Sequence, residues 1–271
     1  MSVFRYPLKT TLLLLCLTIL VSCSSDDQHL YGYIEGEYTY IASGIAGTLF
    51  SLEVKRGQAV KKDELLFKLD QQPDLAAMEA AKANVGQLQS DVALAKVVLQ
   101  RYKALYQHNA ADKNTVDEKQ NDYDSKVKQL QSSENNVIES TWSYNQKTAY
   151  APVSGRVFDT FYRVGEKVAA NQPVLAILTP DNIRVLFYIP EKQLSTIHIG
   201  QQISFSCDGC KNKTKATISY ISPEAEYTPP VIYSQDTRFN LVYLVRAEMP
   251  VEIAQQFHPG QPLEIDLNDK S

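Results

Sequence analysis

The residues able to do chemistry are few. Cys207 and Cys210 form a C-x-x-C within FSCDGCKNK, a spacing shared by redox pairs, half zinc sites and structural disulfides. No second C-x-x-C occurs, and His29, His108, His198 and His258 lie scattered without ligand spacing, so a metal site is not expected. Between the cysteines, Asp208-Gly209 is a two-residue hairpin turn signal, which would set Cys207 and Cys210 opposite each other across paired strands. A small disulfide staple is favoured over redox catalysis, because no thioredoxin-like βαβ pattern surrounds the pair. There is no P-loop and no nucleophile elbow. The chain reads as a non-enzyme with no cofactor.

A third cysteine carries a different signal. MSVFRYPLK supplies two positive charges, TLLLLCLTILVS supplies an apolar run of signal-peptide length, and the run closes on Leu20-Val21-Ser22-Cys23. Small residues before a Cys at the end of such a run resemble a bacterial lipobox, in which Cys23 is lipidated and becomes the mature N-terminus. Residues 1–22 are then a lipoprotein signal peptide and 23–40 a lipidated N-terminus and tether. Lipid burial would hold the chain on a membrane. The net charge of −4 over 271 residues leaves no basic stripe for nucleic acid.

The chain writes one small β unit twice. GTLFSLEVKRGQAVKKDELLFKLD spans 47–70 and GRVFDTFYRVGEKVAANQPVLAIL spans 155–178, so that Gly47 and Gly155, and Gly57 and Gly165, stand at the same offset of 108. Each copy reads as strand, Gly-containing turn and strand, with Gly57 and Gly165 expected at positive φ. An isolated hairpin of this size is marginal in water; two copies packed face to face form a core.

Between the copies the composition changes. Met78, Ala81, Val85, Leu88, Val92, Ala95, Leu99, Tyr102 and Tyr106 recur at spacings of three and four, a heptad seam. A second seam runs Val116, Gln120, Tyr123, Val127, Leu130, Glu134, Val137, Thr141, Tyr144. The break between them offers helix N-caps, either Asp112 or Thr115 boxed with Glu118. Residues 73–147 therefore predict an antiparallel helical hairpin reaching roughly 50 Å.

The paired halves resemble those of a lipoyl/biotinyl-type domain, and YAPVSGRV at 150–157 is close to the entry into the second half in the HlyD-like membrane-fusion proteins. These are the periplasmic adaptors of tripartite efflux and type I secretion systems. In carrier enzymes the two halves meet at a turn presenting a modifiable lysine; here the hairpin occupies that junction. The resemblance implies a multidomain α+β chain: a lipoyl-like β-sandwich (41–72 and 148–180) split by the coiled-coil hairpin, then a β-barrel domain over 181–271. It further implies self-association, as a hexamer, and partners in an inner-membrane transporter, of ABC type given SPEAEYTPP, and an outer-membrane TolC-like channel. Adaptors of this kind dock through a tip pattern of Arg, three residues, Leu, six residues, Ser. Arg101 and Leu105 match it, and Asp112 stands where Ser is usual. The competing readings are an envelope coiled-coil scaffold without a transporter and, less favoured, a lipoyl or biotinyl carrier.

Overall fold

The computed structural model describes residues 30–210, 212–227 and 241–267. Cys23 and the signal peptide lie outside them. The chain divides into two compact units, one of Glu35–Arg184 with Pro250–Pro259, the other of the segments ending at Ile34, Val185–Met249 and from Gly260 onward.

The first unit is built by the repeat. Its first half contributes β2 (Gly47–Leu52), β3 (Ala59–Val60) and β4 (Leu65–Leu69); the second contributes β5 (Thr148–Tyr150), β6 (Gly155–Thr160), β7 (Lys167–Val168) and the start of β8 (Pro173–Pro190). The halves exchange strands. Gly47 and Thr48 of β2 pair with Val168 and Lys167 of β7, while Val60 and Ala59 of β3 pair with Gly155 and Arg156 of β6. Adding 108 to one set of residues produces the other. Single hydrogen bonds obey the same rule: Leu49 N–H donates to Glu166 O and Val157 N–H to Gln58 O, both at 2.8 Å. Gly57 N–H donates to Val157 O and Gly165 N–H to Leu49 O, again both at 2.8 Å. One core results, with Leu49, Leu66, Phe67 and Leu69 from the first half against Val157, Val174, Leu175 and Ile177 from the second.

The glycines have two distinct jobs. Gly57 and Gly165 turn the chain at φ of +82° and +94°, where a Cβ is disfavoured. Gly155 instead permits close approach, since a Cβ there would sit 2.5 Å from the Leu178 carbonyl oxygen and 2.8 Å from Ile177 Cγ2.

Between β4 and β5 stand α1 (Gln72–Gln107) and α2 (Lys113–Gln146). They run antiparallel, because contacting residues converge in number toward the tip: Asn84 bonds Ser133 and Lys103 bonds Gln120. The α1 seam is inward-facing from Met78 to Tyr102, with Met78, Ala95 and Leu99 buried, whereas Tyr106 is exposed. On α2 two assignments are corrected: Val127 is 37% exposed. Glu134 is exposed and the buried seam residue is Ser133, whose hydroxyl takes the Asn84 side-chain N–H at 3.0 Å. Stepping from Leu130 by three rather than four keeps a carboxylate in water and gives a small residue the crowded place.

The second unit is a run of strands paired in the order β1 (Leu30–Ala42), β12 (Pro262–Asp266), β9 (Gln202–Ser206), β10 (Thr214–Tyr227), β11 (Leu241–Glu248), β8, with β8 also paired to β1. Ile34, Phe187, Ile189, Ile203, Phe205 and Val245 are almost fully buried in it. Three expectations change here. Residues 30–40, read as tether, begin a 13-residue strand, whose Leu30–Tyr33 pair with β12. The division between the units falls between Arg184 and Val185, within the 18-residue strand β8, rather than at 181. Pro250–Pro259, with the short helix α3 (Val251–Ala254), clusters with the first unit.

Gly155→Ala is expected to destabilise the first unit by about 1–3 kcal/mol, because the added methyl meets backbone that cannot give way; chemical denaturation followed by circular dichroism reads it.

Candidate functional site

The hairpin tip holds the three residues that the sequence pattern singles out, Arg101, Leu105 and Asp112. At the end of α1, Asn109 takes a left-handed conformation, φ +58°, the place a Gly or Asn fills after a helix. Ala110 N–H then returns to Leu105 O at 2.8 Å and Asn109 N–H to Tyr106 O at 3.0 Å, satisfying carbonyls that the helix end leaves open. Asn109 was not singled out from sequence, although an Asn before Ala-Ala-Asp is a legible stop signal.

Asp112 opens α2. Its carboxylate accepts from Thr115 N–H at 2.8 Å and from the Thr115 hydroxyl at 2.8 Å. These bonds, the backbone one foremost, hold the Asp112 carboxyl below the ordinary range. The alternative cap is therefore overturned: Thr115 sits inside the first turn as a donor to Asp112.

Arg101 and Leu105, one turn apart on α1, are both exposed, and Leu105 presents 38% of its surface. The structure places them on one face. Asp112 points its oxygens at its own helix, so of the three tip residues it is the one already engaged. Nearby, Lys119 lies 5.7 Å over the Tyr102 ring and Lys103 donates to Gln120 at 2.8 Å, bracing the two arms just below the tip.

At the other end the hairpin is latched to the sandwich. Lys147, 7% exposed, donates to Ala46 O at 3.0 Å and pairs with Asp74 at 3.2 Å in the first turn of α1. The buried Ser43 hydroxyl donates to Gln146 O at 2.9 Å, and the Gln71 amide reaches Thr148 Oγ1 at 3.0 Å. Sequence reading missed this latch, since each member is a single polar residue far from the others along the chain. A second pin joins the halves: Arg56 Nε donates to Asp159 at 2.9 Å, and this hydrogen bond lowers the Asp159 carboxyl.

Cys207 and Cys210 are bonded, with Cα atoms 5.2 Å apart. They are not a cross-strand pair. Both lie in the connection between β9 and β10, where Cys210 N–H donates to Cys207 O at 3.0 Å and Gly209 has φ +85°. The connection is longer than two residues, so the staple closes a turn. Among the described residues no cluster of His, Cys, Asp and Glu comes together to hold a metal ion, and no helix is long and apolar enough to cross a membrane.

Two measurements check this geometry. Asp112→Ala should speed exchange of the Thr115 amide by about fivefold while Asp112→Ser preserves its protection. Because the folded carboxyl is depressed, the cap is at full strength above the ordinary carboxyl range and is lost as pH falls through the folded value. Lys147→Met should cost roughly 2 kcal/mol, leaving Asp74 and the Ala46 carbonyl without their cation, as read by thermal unfolding.

Comparison with known proteins fits this architecture. The chain is 24% identical to the membrane protein YbhG of Salmonella paratyphi B, across 92% of this chain and 91% of that one. Its fold is similar to that of the membrane fusion protein Spr0693 of Streptococcus pneumoniae, with a TM-score of 0.68 at 17% identity over 90% of this chain and 99% of that one. It is also similar to a MacA–MexA chimeric protein containing the Pseudomonas aeruginosa MexA α-hairpin domain, with a TM-score of 0.60 at 21% identity over 89% and 80% of the two chains. Residues 37–180, the repeat together with its hairpin, match the family described as the RND MFP barrel-sandwich hybrid domain, and the chain belongs to that membrane-fusion protein family.

Proposed function

We propose that the protein is a periplasmic adaptor, a non-enzymatic subunit linking an inner-membrane transporter of ABC type to an outer-membrane TolC-like channel in efflux or type I secretion. The observation that carries this reading is a helical hairpin, roughly 50 Å long, inserted into a two-half β-sandwich and latched to it by Lys147, Asp74 and Ser43. Such an arm transmits position over a distance and needs no reaction of its own. In this reading Cys23 carries the lipid anchor, the first unit is a lipoyl-like domain, the second is a β-barrel domain, and copies assemble as a hexamer.

The tip supplies the docking chemistry. Arg101 presents a fork of donors suited to a carboxylate or carbonyl on the channel, and Leu105 adds an apolar anchor. Asp112 shapes the tip by capping α2 rather than by reaching outward. A carrier role is disfavoured because α1 and α2 occupy the junction where a lysine turn would stand, and the lysine nearest that junction, Lys147, is buried.

Crosslinking in intact cells followed by purification tests the assignment. The wild-type chain should recover an inner-membrane permease and an outer-membrane channel. Arg101→Ala with Leu105→Asp should cut recovery of the channel by about tenfold or more and leave the permease unchanged. Recovery of neither partner by the wild type would sink the adaptor reading in favour of a lipid-anchored scaffold.

A further inference from the structure

The two halves of the repeat are alike in backbone and unlike in chemistry at one place. Residues 159–166 stand at the offset of 108 from residues 51–58, and both turns close with the same bond. Arg163 N–H donates to Glu166 Oε2 at 2.9 Å, and Lys55 N–H donates to Gln58 Oε1 at 3.1 Å. A neutral Gln therefore meets what the turn asks of that position, and the charge of Glu166 is surplus to it. The second half also carries Asp159, Thr160, Phe161 and Tyr162 where the first carries Ser51, Leu52, Glu53 and Val54. What the fold requires is common to both copies; a set that only one copy carries calls for another cause.

That set bounds a cleft of about 420 Å³, lined by residues 159–163 and Glu166 together with Arg56 from the first half. The volume is within the usual range for small-molecule sites, about 300–1,000 Å³. One wall is aromatic. Phe161, 46% exposed, stacks with Tyr40 of β1, 58% exposed, with ring centres 6.2 Å apart and planes inclined by 27°. Beside them Tyr38 lies on Phe158 at 4.0 Å between centres. Clustered rings left open to solvent mark binding grooves more often than isolated ones do.

The polar wall offers both signs of charge. Asp159 Oδ1 accepts from Arg56 Nε at 2.9 Å and from Thr160 N–H at 2.7 Å, which leaves Oδ2 open. Among the described residues, the Arg163 guanidinium, Glu166 Oε1 and the Thr160 and Tyr162 hydroxyls also have no protein partner. Two guanidinia and two carboxylates leave the cleft without net charge.

This balance selects a class of ligand. An anion would approach two carboxylates and a cation two guanidinia, and like charges brought together cost binding energy. A neutral polyhydroxylated ring meets neither cost. Hydroxyls on adjacent carbons accept from a guanidinium fork and donate to a carboxylate, while the C–H face of the ring lies against the negative face of an aromatic side chain. We infer that this cleft binds a saccharide, with a pyranose ring stacked on Phe161 and its hydroxyls held by Arg163, Asp159 and Glu166. The site lies wholly within the first unit and goes beyond the adaptor reading without resting on it.

The test titrates the purified full-length protein with cellobiose, maltose, lactose and N,N′-diacetylchitobiose, followed by saturation-transfer NMR and by the backbone amide shifts of residues 158–166. At least one disaccharide should bind, with saturation strongest on its ring C–H protons. Phe161→Ala and Arg163→Ala should each weaken that disaccharide about tenfold and leave thermal unfolding unchanged, since both side chains are exposed. Glu166→Gln, which keeps the turn as Gln58 does, should weaken it about fivefold. Lys55→Ala, at the counterpart of Arg163, should leave binding intact, and inorganic phosphate should not displace the sugar. Binding of none of the four, binding indifferent to both Phe161→Ala and Arg163→Ala, an equal loss with Lys55→Ala, or displacement by phosphate overturns the site. All of these are read without permease or channel, so the saccharide site and the adaptor reading can fail separately.

Discussion

The reciprocal strand exchange between the two halves of the repeat is what everything else rests on. Gly47–Val168 and Val60–Gly155 are the same pairing written twice, so neither half has a complete sheet without the other. A short hairpin cannot bury an apolar face alone. Here each half supplies the edge and the core that the other lacks, and one hydrophobic centre, from Leu49 to Ile177, spans both.

That mutual dependence lets a long insertion be tolerated. Loop-closure entropy rises only slowly with length, and the 76 residues between Gln71 and Thr148 are not a loose loop. They fold back as paired helices that return the chain close to where it left. Leu69 N–H donates to Lys147 O at 2.7 Å, which ties the two ends of the insertion together beneath the helices. Lys147 then links the base to the first turn of α1 through Asp74, a carboxylate placed where the helix dipole favours it. The arm is anchored through several independent contacts, which is what a projecting element needs if its tip is to have a defined position.

The seam explains why the hairpin is stable and narrow at once. One stripe of each helix is covered by the other and the rest faces outward. Exposed Asn84 and buried Ser133 form a polar rung at the margin of this seam, and a directional hydrogen bond of this kind fixes the register of two helices more tightly than interchangeable apolar contacts do. With register fixed, the outward stripes acquire defined heights as well.

Much was legible in the sequence for local reasons. The offset of 108 between Gly47 and Gly155 announced a repeated β unit, and the three-and-four spacing announced two long helices, because those periods are set by backbone geometry and need no partner to be read. The break in pattern narrowed the cap of α2 to Asp112 or Thr115, and the hydrogen bond from Thr115 N–H selects Asp112. The places that stayed hidden were those decided by groups distant in sequence. Glu134 and Ser133 are one residue apart, and only the facing Asn84 decides which turns inward. The cysteines lie in a turn and not across strands because the β9–β10 connection is longer than Asp-Gly signals. Residues 30–40 became a strand because β12 and β8 offer it edges. Lys147, Asp74 and Ser43 meet only once the halves close. By itself the sequence determined the periods, the turns and the insertion point, all properties of neighbouring residues. Tertiary structure alone decided register, latch and which faces remain exposed, since these depend on what each side chain finds opposite it.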